Sequence, residues 1–252
     1  MNVSCPNWLV PLNQPTRPEI RIFCFPYAGG GPSVYRSWKT LLPSHIAGFS
    51  FHSPGRESRF TEALIKDFSI LVTQAAQAIK PFAHEPFVLF GHSLGSLIAF
   101  ETARTLESQG YKPELLIVSA RQCPQTPSKR KPISHLPEQE FLQEMASYNG
   151  TPAQVLANQE LMELLSPMIR ADFHLAENYK FQDNGRLLTC PILALAASQD
   201  HWVTPEGIEK WSNFTSTGFE SRQFEGDHFY LNQQSERLIA FINQRINQLR
   251  QK

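Results

Sequence analysis

Residues 91–95 read Gly-His-Ser-Leu-Gly, and what flanks them narrows the fold more than any other feature of the chain. Before them, Phe87-Val-Leu-Phe90 has the length and composition of a buried strand. After them, Leu94 to Gln109 carries Leu97, Ile98, Phe100, Ala103 and Leu106 at helical spacing. A serine on so sharp a strand-to-helix turn is held in a strained backbone conformation with its hydroxyl exposed. Gly91 and Gly95 then serve as positions where a side chain would collide with the neighbouring strand and helix. Ser93 is accordingly expected to be a nucleophile.

The rest of the chain repeats the alternation. Strand-like runs fall at Ile20–Phe25, Ile46–Phe51, Leu115–Val118, Pro191–Ala196 and Phe219–Phe224. Helical patterns cover Val34–Leu42, Thr61–Lys80 and a closing helix that includes Leu238–Ile246, while residues 1–18 read as an irregular lead-in. Strands alternating with helices imply an α/β fold, a mostly parallel sheet covered on both faces, with ligands bound beyond the carboxyl ends of the strands. One segment breaks the rhythm. Between Val118 and Pro191 no strand-like run occurs. A helix is expected to start at Leu136 with Pro137 in its first position, and a second to span Asn158–Tyr179, broken or kinked at Pro167. The expectation is a single domain over 1–252 with a helical lid inserted at about 121–185, shaping the pocket and excluding water.

Composition narrows the function classes. Lys+Arg and Asp+Glu number 23 each, so no basic field is present to attract nucleic acid or acidic membranes. No apolar run approaches a membrane span, and Met1–Pro18 lacks the basic start and apolar core of a signal peptide. Cys5, Cys24, Cys123 and Cys190 are widely spaced with no metal-ligand pattern, and Cys24 falls inside an apolar strand. A reduced, cytoplasmic setting is expected, with no metal and no cofactor, and a monomer as the default.

A serine hydroxyl needs a base, and the base an orienting acid, in the chain order Ser, then Asp or Glu, then His. His228, in Gly226-Asp-His-Phe after the last strand, stands where such a base belongs; His201 lies on an earlier loop. Asp200 follows the strand ending at Ala196, while its rival Asp227 adjoins His228 and is expected to point away from the ring. His92 is expected to be a satisfied hydrogen-bonding residue. The oxyanion of a tetrahedral intermediate needs two backbone donors: one from Leu94, the other from the loop Ala28-Gly-Gly-Gly31. That loop is not a phosphate loop, because no Gly-Lys-Ser/Thr follows.

Five motifs together, Phe25-Pro-Tyr-Ala-Gly-Gly30, Pro54-Gly-Arg-Glu-Ser-Arg59, Gly91-His-Ser-Leu-Gly95, Arg170-Ala-Asp-Phe173 and Gly226-Asp-His-Phe229, resemble the type II thioesterases of nonribosomal peptide and polyketide synthases. The resemblance covers nearly the whole chain. It implies an α/β-hydrolase that hydrolyses acyl thioesters on the phosphopantetheine arm of acyl or peptidyl carrier proteins, clearing wrong or stalled groups. It also implies Ser93, Asp200 and His228 as the triad, with Ala28 and Leu94 as the oxyanion hole. Ser96 stands where alanine is common in the family, and Tyr148-Asn-Gly-Thr-Pro152 departs from its usual lid pattern. Arg56 and Arg59 are expected to belong to a structural loop with salt bridges, with carrier-protein contact as the alternative, and Arg170 and Asp172 to be structural rather than catalytic. The rival readings are a chain-releasing fatty-acyl thioesterase, a small-molecule carboxylesterase or lipase, and a non-catalytic binding protein of the same fold.

Overall fold

Apolar residues on both faces of a strand require cover on both sides, and the core is built that way. A computed structural model of the chain describes residues 7–148, 150 and 153–251. Seven strands form one sheet: β1 (Leu9–Pro11), β2 (Ile20–Phe25), β3 (Ile46–Phe51), β4 (Phe87–His92), β5 (Leu115–Ser119), β6 (Ile192–Ala197) and β7 (Phe219–Phe224). Their order is β1-β3-β2-β4-β5-β6-β7, and all pairs are parallel except β1 against β3. Alternate residues of the parallel strands feed two cores. Phe23, Phe25, Phe87 and Leu89 pack on one face with α2 (Phe68–Ile79) and α3 (Leu94–Ser108). Ile20, Ile22, Val88 and Phe90 pack on the other with Trp38, from the one-turn α1 (Trp38–Leu41), and with Ile239, Ile242 and Ile246. Among the described residues, no helix is long and apolar enough to cross a membrane.

The chain leaves β2 for β3 on one side and returns to β4 on the other. The crevice between the carboxyl ends of β2 and β4 is therefore a topological switch point, where such sheets bind ligands. Three helices fill the long connection from β5 to β6: α4 (Glu138–Ala146), α5 (Ala153–Leu156) and α6 (Gln159–Asn178). They build their own small core from Ile133, Phe141, Met145, Met162, Met168 and Phe173. The remaining helices are α7 (Pro205–Glu209), α8 (Tyr230–Gln233) and α9 (Ser235–Arg250).

Several boundaries differ from the sequence expectation. The lead-in holds the edge strand β1. The pattern at 34–42 resolves into a 3-10 turn, Pro32–Tyr35, and the single turn of α1. The helix expected from Thr61 starts only at Phe68, because Asp67 accepts the backbone N–H groups of Ser69 and Ile70 and caps it there. Pro137 is the N-cap of α4 rather than its first residue. Pro167 does not end α6: it is exposed, as is Glu163, so the carbonyl deprived of a donor faces water. Cys24, Cys123 and Cys190 are buried free thiols. Cys5 and most of the departure at 149–152 lie outside the described residues.

Candidate active site

β4 ends at His92, α3 begins at Leu94, and Ser93 bridges them with φ 55° and ψ −114°, a region L-residues rarely enter. The surroundings enforce this turn. A Cβ on Gly91 would lie 2.1 Å from the Gly95 carbonyl oxygen, and one on Gly95 would lie 2.0 Å from that of Phe25 on β2. Ser93 donates its backbone N–H to the Ser119 carbonyl at 2.8 Å. Ser96, on the first turn of α3, has its hydroxyl 2.8 Å from the Gly91 carbonyl and accepts the Ser119 N–H at 3.0 Å, so it ties the helix to both strands.

The loops after β6 and β7 bring the other two groups. His228 Nε2 lies 3.0 Å from Ser93 Oγ, and its Nδ1 lies 2.6 Å from Asp200 Oδ2. The second carboxylate oxygen of Asp200 accepts the Trp202 N–H at 3.0 Å. All three are buried. Asp227 turns away and accepts the Phe229 N–H at 2.8 Å, and His201 is exposed. Burial pulls the His228 pKa below the usual imidazole value, although its bond to Asp200 opposes the shift. Burial works to raise Asp200, but its hydrogen bond with His228 opposes this and the carboxyl stays below its ordinary range. The relay thus rests as neutral imidazole and carboxylate.

His92 has a definite place behind this relay. Its Nε2 is 2.8 Å from the His228 carbonyl, which can only accept, so Nε2 carries the proton. Burial first, and the neighbouring His228 second, pull its pKa down to about 3, leaving Nδ1 unprotonated. Nδ1 then accepts the Ser119 hydroxyl at 2.8 Å, and Ser119 accepts that of Tyr230 at 2.7 Å. This chain of donors pins the backbone that carries the base.

The loop after β2 is clamped from outside the sheet. Gly29, with φ +80°, donates its N–H to Asp172 Oδ2 at 2.8 Å. Arg56 meets the same carboxylate through two nitrogens, at 2.7 and 2.9 Å, and donates to the Gly30 carbonyl at 2.8 Å. Asp172 belongs to α6, so an inserted helix reaches directly into this loop. Arg59 pairs with Glu62 and lies over the Trp8 ring, and Arg170 pairs with Glu138, as structural contacts. No described group accepts from the N–H of Ala28 or Leu94, and both residues flank Ser93.

Over Ser93 lies a cavity of about 320 Å³, walled on the inserted side by Met145, Val155, Leu165, Met168, Ile169 and Phe173. Arg130, Tyr148 and Trp202 surround the relay; sequence reasoning passed over Arg130 and Trp202 and noted Tyr148 only as the start of an unusual lid segment. Among the described residues no cluster of three or more metal-ligating side chains occurs.

A hydroxyl, an imidazole and a carboxylate joined in that order at the switch point of an α/β sheet define a serine hydrolase. The thioesterase domain model matches residues 20–246, and the chain belongs to that family. It is 38% identical over 245 residues to the linear gramicidin dehydrogenase LgrE of Brevibacillus parabrevis, covering 96% of this chain and 93% of that one. The type II thioesterase BorB from the borrelidin biosynthetic cluster superposes with a TM-score of 0.87 at 33% identity, covering 96% of this chain and 99% of BorB. YbtT, the type II thioesterase of the yersiniabactin NRPS/PKS pathway, does so with 0.86 at 29% identity, covering 96% and 99%.

Proposed function

We propose that this thioesterase hydrolyses acyl groups from the phosphopantetheine arm of acyl or peptidyl carrier proteins and so clears stalled or wrong acyl groups from a nonribosomal peptide or polyketide synthase. The observation that carries the reading is the buried Ser93–His228–Asp200 relay opening into an apolar cavity of about 320 Å³, room for a modest acyl chain. The likeness to thioesterases of such clusters supports it. The dehydrogenase in the name of LgrE has no counterpart in the loop after β2. That loop runs into a short 3-10 turn rather than the helix N-terminus on which a dinucleotide pyrophosphate sits.

In this reading Ser93 Oγ attacks the thioester carbonyl as its proton passes to His228 Nε2, while Asp200 holds the ring and stabilises its charge. The oxyanion accepts from the N–H groups of Ala28 and Leu94. The carbon–sulfur bond breaks and the sulfur takes the proton from His228. Water, deprotonated by His228, then attacks the acyl-serine ester; the bond from the acyl carbon to Ser93 Oγ breaks, the serine oxygen takes the proton back from His228, and the acid is released. The chain works as one thioesterase unit in which the helices between about residues 121 and 185 are a lid over the acyl group. A cytoplasmic workplace accords with its buried free thiols.

The test compares kcat/KM for one acyl group on a carrier protein, on free pantetheine and on p-nitrophenol. The carrier-bound thioester is expected to win; if the p-nitrophenyl ester wins and the carrier adds nothing, the enzyme is a general esterase. The pH dependence follows from His228. Protonated imidazole cannot accept the serine proton, so activity is lost as pH falls through its pKa, which burial depresses. The kcat/KM plateau should therefore extend below the ordinary histidine value of about 6.5. An acid limb centred at or above that value would contradict the buried, neutral relay.

A further inference from the structure

Arg130 lies in the loop between β5 and α4; its charge adds to the burial that lowers the His228 pKa, but no step above gives it a partner. Its guanidinium carbon is 4.0 Å from the centre of the Trp202 ring and 4.7 Å from that of Tyr148, and those rings stack on each other at 4.9 Å. Trp202 stands edge-on to the His228 imidazole, with ring centres 5.3 Å apart. Among the described residues no carboxylate forms an ion pair with Arg130, and its Nη2 is shut off from solvent with no acceptor. Burial draws its pKa down to about 10, which still leaves it cationic at neutral pH. A buried guanidinium nitrogen without an acceptor is a cost that a ligand oxygen would remove.

Position says which oxygen. A small pocket of about 30 Å³ is bounded by Ser93, His228, Trp202 and Arg130 but not by the 28–31 loop; Ser93, His228 and Arg130 stand between it and the larger cavity, which that loop lines with them. The sulfur leaving the tetrahedral adduct must take its proton from His228 Nε2, so the leaving group lies on the His228 side, away from the oxyanion donors. Arg130 is on that side. Two methylenes and an N–H beyond its sulfur, the pantetheine arm carries an amide carbonyl, its first strong acceptor.

We propose that Arg130 donates a hydrogen bond to this amide carbonyl and thereby makes the site read the arm rather than the acyl group. The inference rests on the thioesterase reading above. Two aromatic rings within 4.7 Å of its guanidinium carbon hold Arg130 in place before substrate arrives, so little ordering is needed on binding.

The test uses acetyl thioesters of N-acetylcysteamine, which keeps the amide, and of n-pentanethiol, which replaces it with methylenes. Wild type is expected to prefer the amide-bearing thioester by about tenfold or more in kcat/KM, the worth of one charge-assisted hydrogen bond. Removing the Arg130 charge also lets the His228 pKa rise, which slows both thioesters alike at low pH, so each enzyme is assayed on its own pH plateau; there Arg130→Met should lose about that factor on N-acetylcysteamine relative to the pentyl thioester. Arg130→Lys, which keeps the charge and loses the fork, should fall between. Labelling of Ser93 by a fluorophosphonate at the wild-type rate reports that a variant is folded. Equal losses on the two thioesters, or no loss on either, would overturn the role of Arg130. If wild type cleaves p-nitrophenyl acetate but neither thioester, the thioesterase reading itself falls and takes this inference with it.

Discussion

Ser93→Ala and His228→Ala should each lower kcat on a thioester by about a millionfold, and Asp200→Asn by about ten-thousandfold. The ordering follows from the relay. Without Ser93 Oγ no acyl-enzyme forms; without His228 nothing 3.0 Å from that oxygen can take its proton. An asparagine in place of Asp200 would fill the same space, but its amide cannot stabilise an imidazolium, and it favours the wrong tautomer of the ring. Removing two members together should cost little beyond the worst single loss, because the three act as one unit. A fluorophosphonate probe should label wild type and not Ser93→Ala. Full activity in Asp200→Ala would move the acid to another carboxylate, with Asp227 the nearest in sequence.

Asp172→Ala is expected to damage rate and stability together, although Asp172 touches neither Ser93 nor His228. Its loss leaves the Arg56 guanidinium buried without a counter-charge, which costs about 3–5 kcal/mol, and deprives the Gly29 N–H of its acceptor. For a chain of this size that corresponds to a fall in Tm on the order of 10 °C. Gly29 follows Ala28, so a loosened Gly29 misplaces the N–H proposed to meet the oxyanion. Removing such a donor outright costs about 10²–10³ in kcat, and a displaced one should cost about 10–100-fold. Affinity for a boronic acid that forms a tetrahedral adduct on Ser93 should fall in parallel with kcat, while KM for a short acyl thioester holds. Asp172→Asn, which can still accept from Gly29, should recover part of the rate. A lowered Tm with unchanged kcat would mean that the clamp only holds the fold together.

The sheet was legible because buried parallel strands are apolar on both faces, and five runs of that kind stand out between turn residues; Phe219–Phe224, polar at its four central positions, was read as a strand from its place before the closing helix. β1 was not: Leu9-Val-Pro11 is three residues long, and its pairing with Phe49–Phe51 is made by tertiary contact. The start of α2 was misjudged because Leu64 and Ile65 continue a helical spacing, yet Leu64 packs against the core of the inserted helices and Ile65 against the sheet. The relay residues could be ordered from chain order and strand ends alone, since the fold brings those ends to one edge. The clamp could not. Arg56 and Asp172 each read as structural, but 116 residues separate them, and nothing local says that they pair or that Gly29 is their third partner. Arg130 was invisible for the same reason: an arginine in a loop is ordinary until its nitrogen is seen buried without an acceptor.

The grip of α6 on the loop after β2 links how wide the site stands to how fast it turns over. Ile169, which walls the acyl cavity, packs on Gly29 one helical turn before the carboxylate that holds it. An acyl group that lets α6 settle leaves Asp172 on the Gly29 N–H; one that props the helix outward would draw the carboxylate away. Oversized acyl groups would then bind well and turn over slowly, and chain-length discrimination would show in kcat more than in KM. A synthase served by such an enzyme could lose its small misloaded fragments quickly while its long, finished chains, though admitted, are left intact.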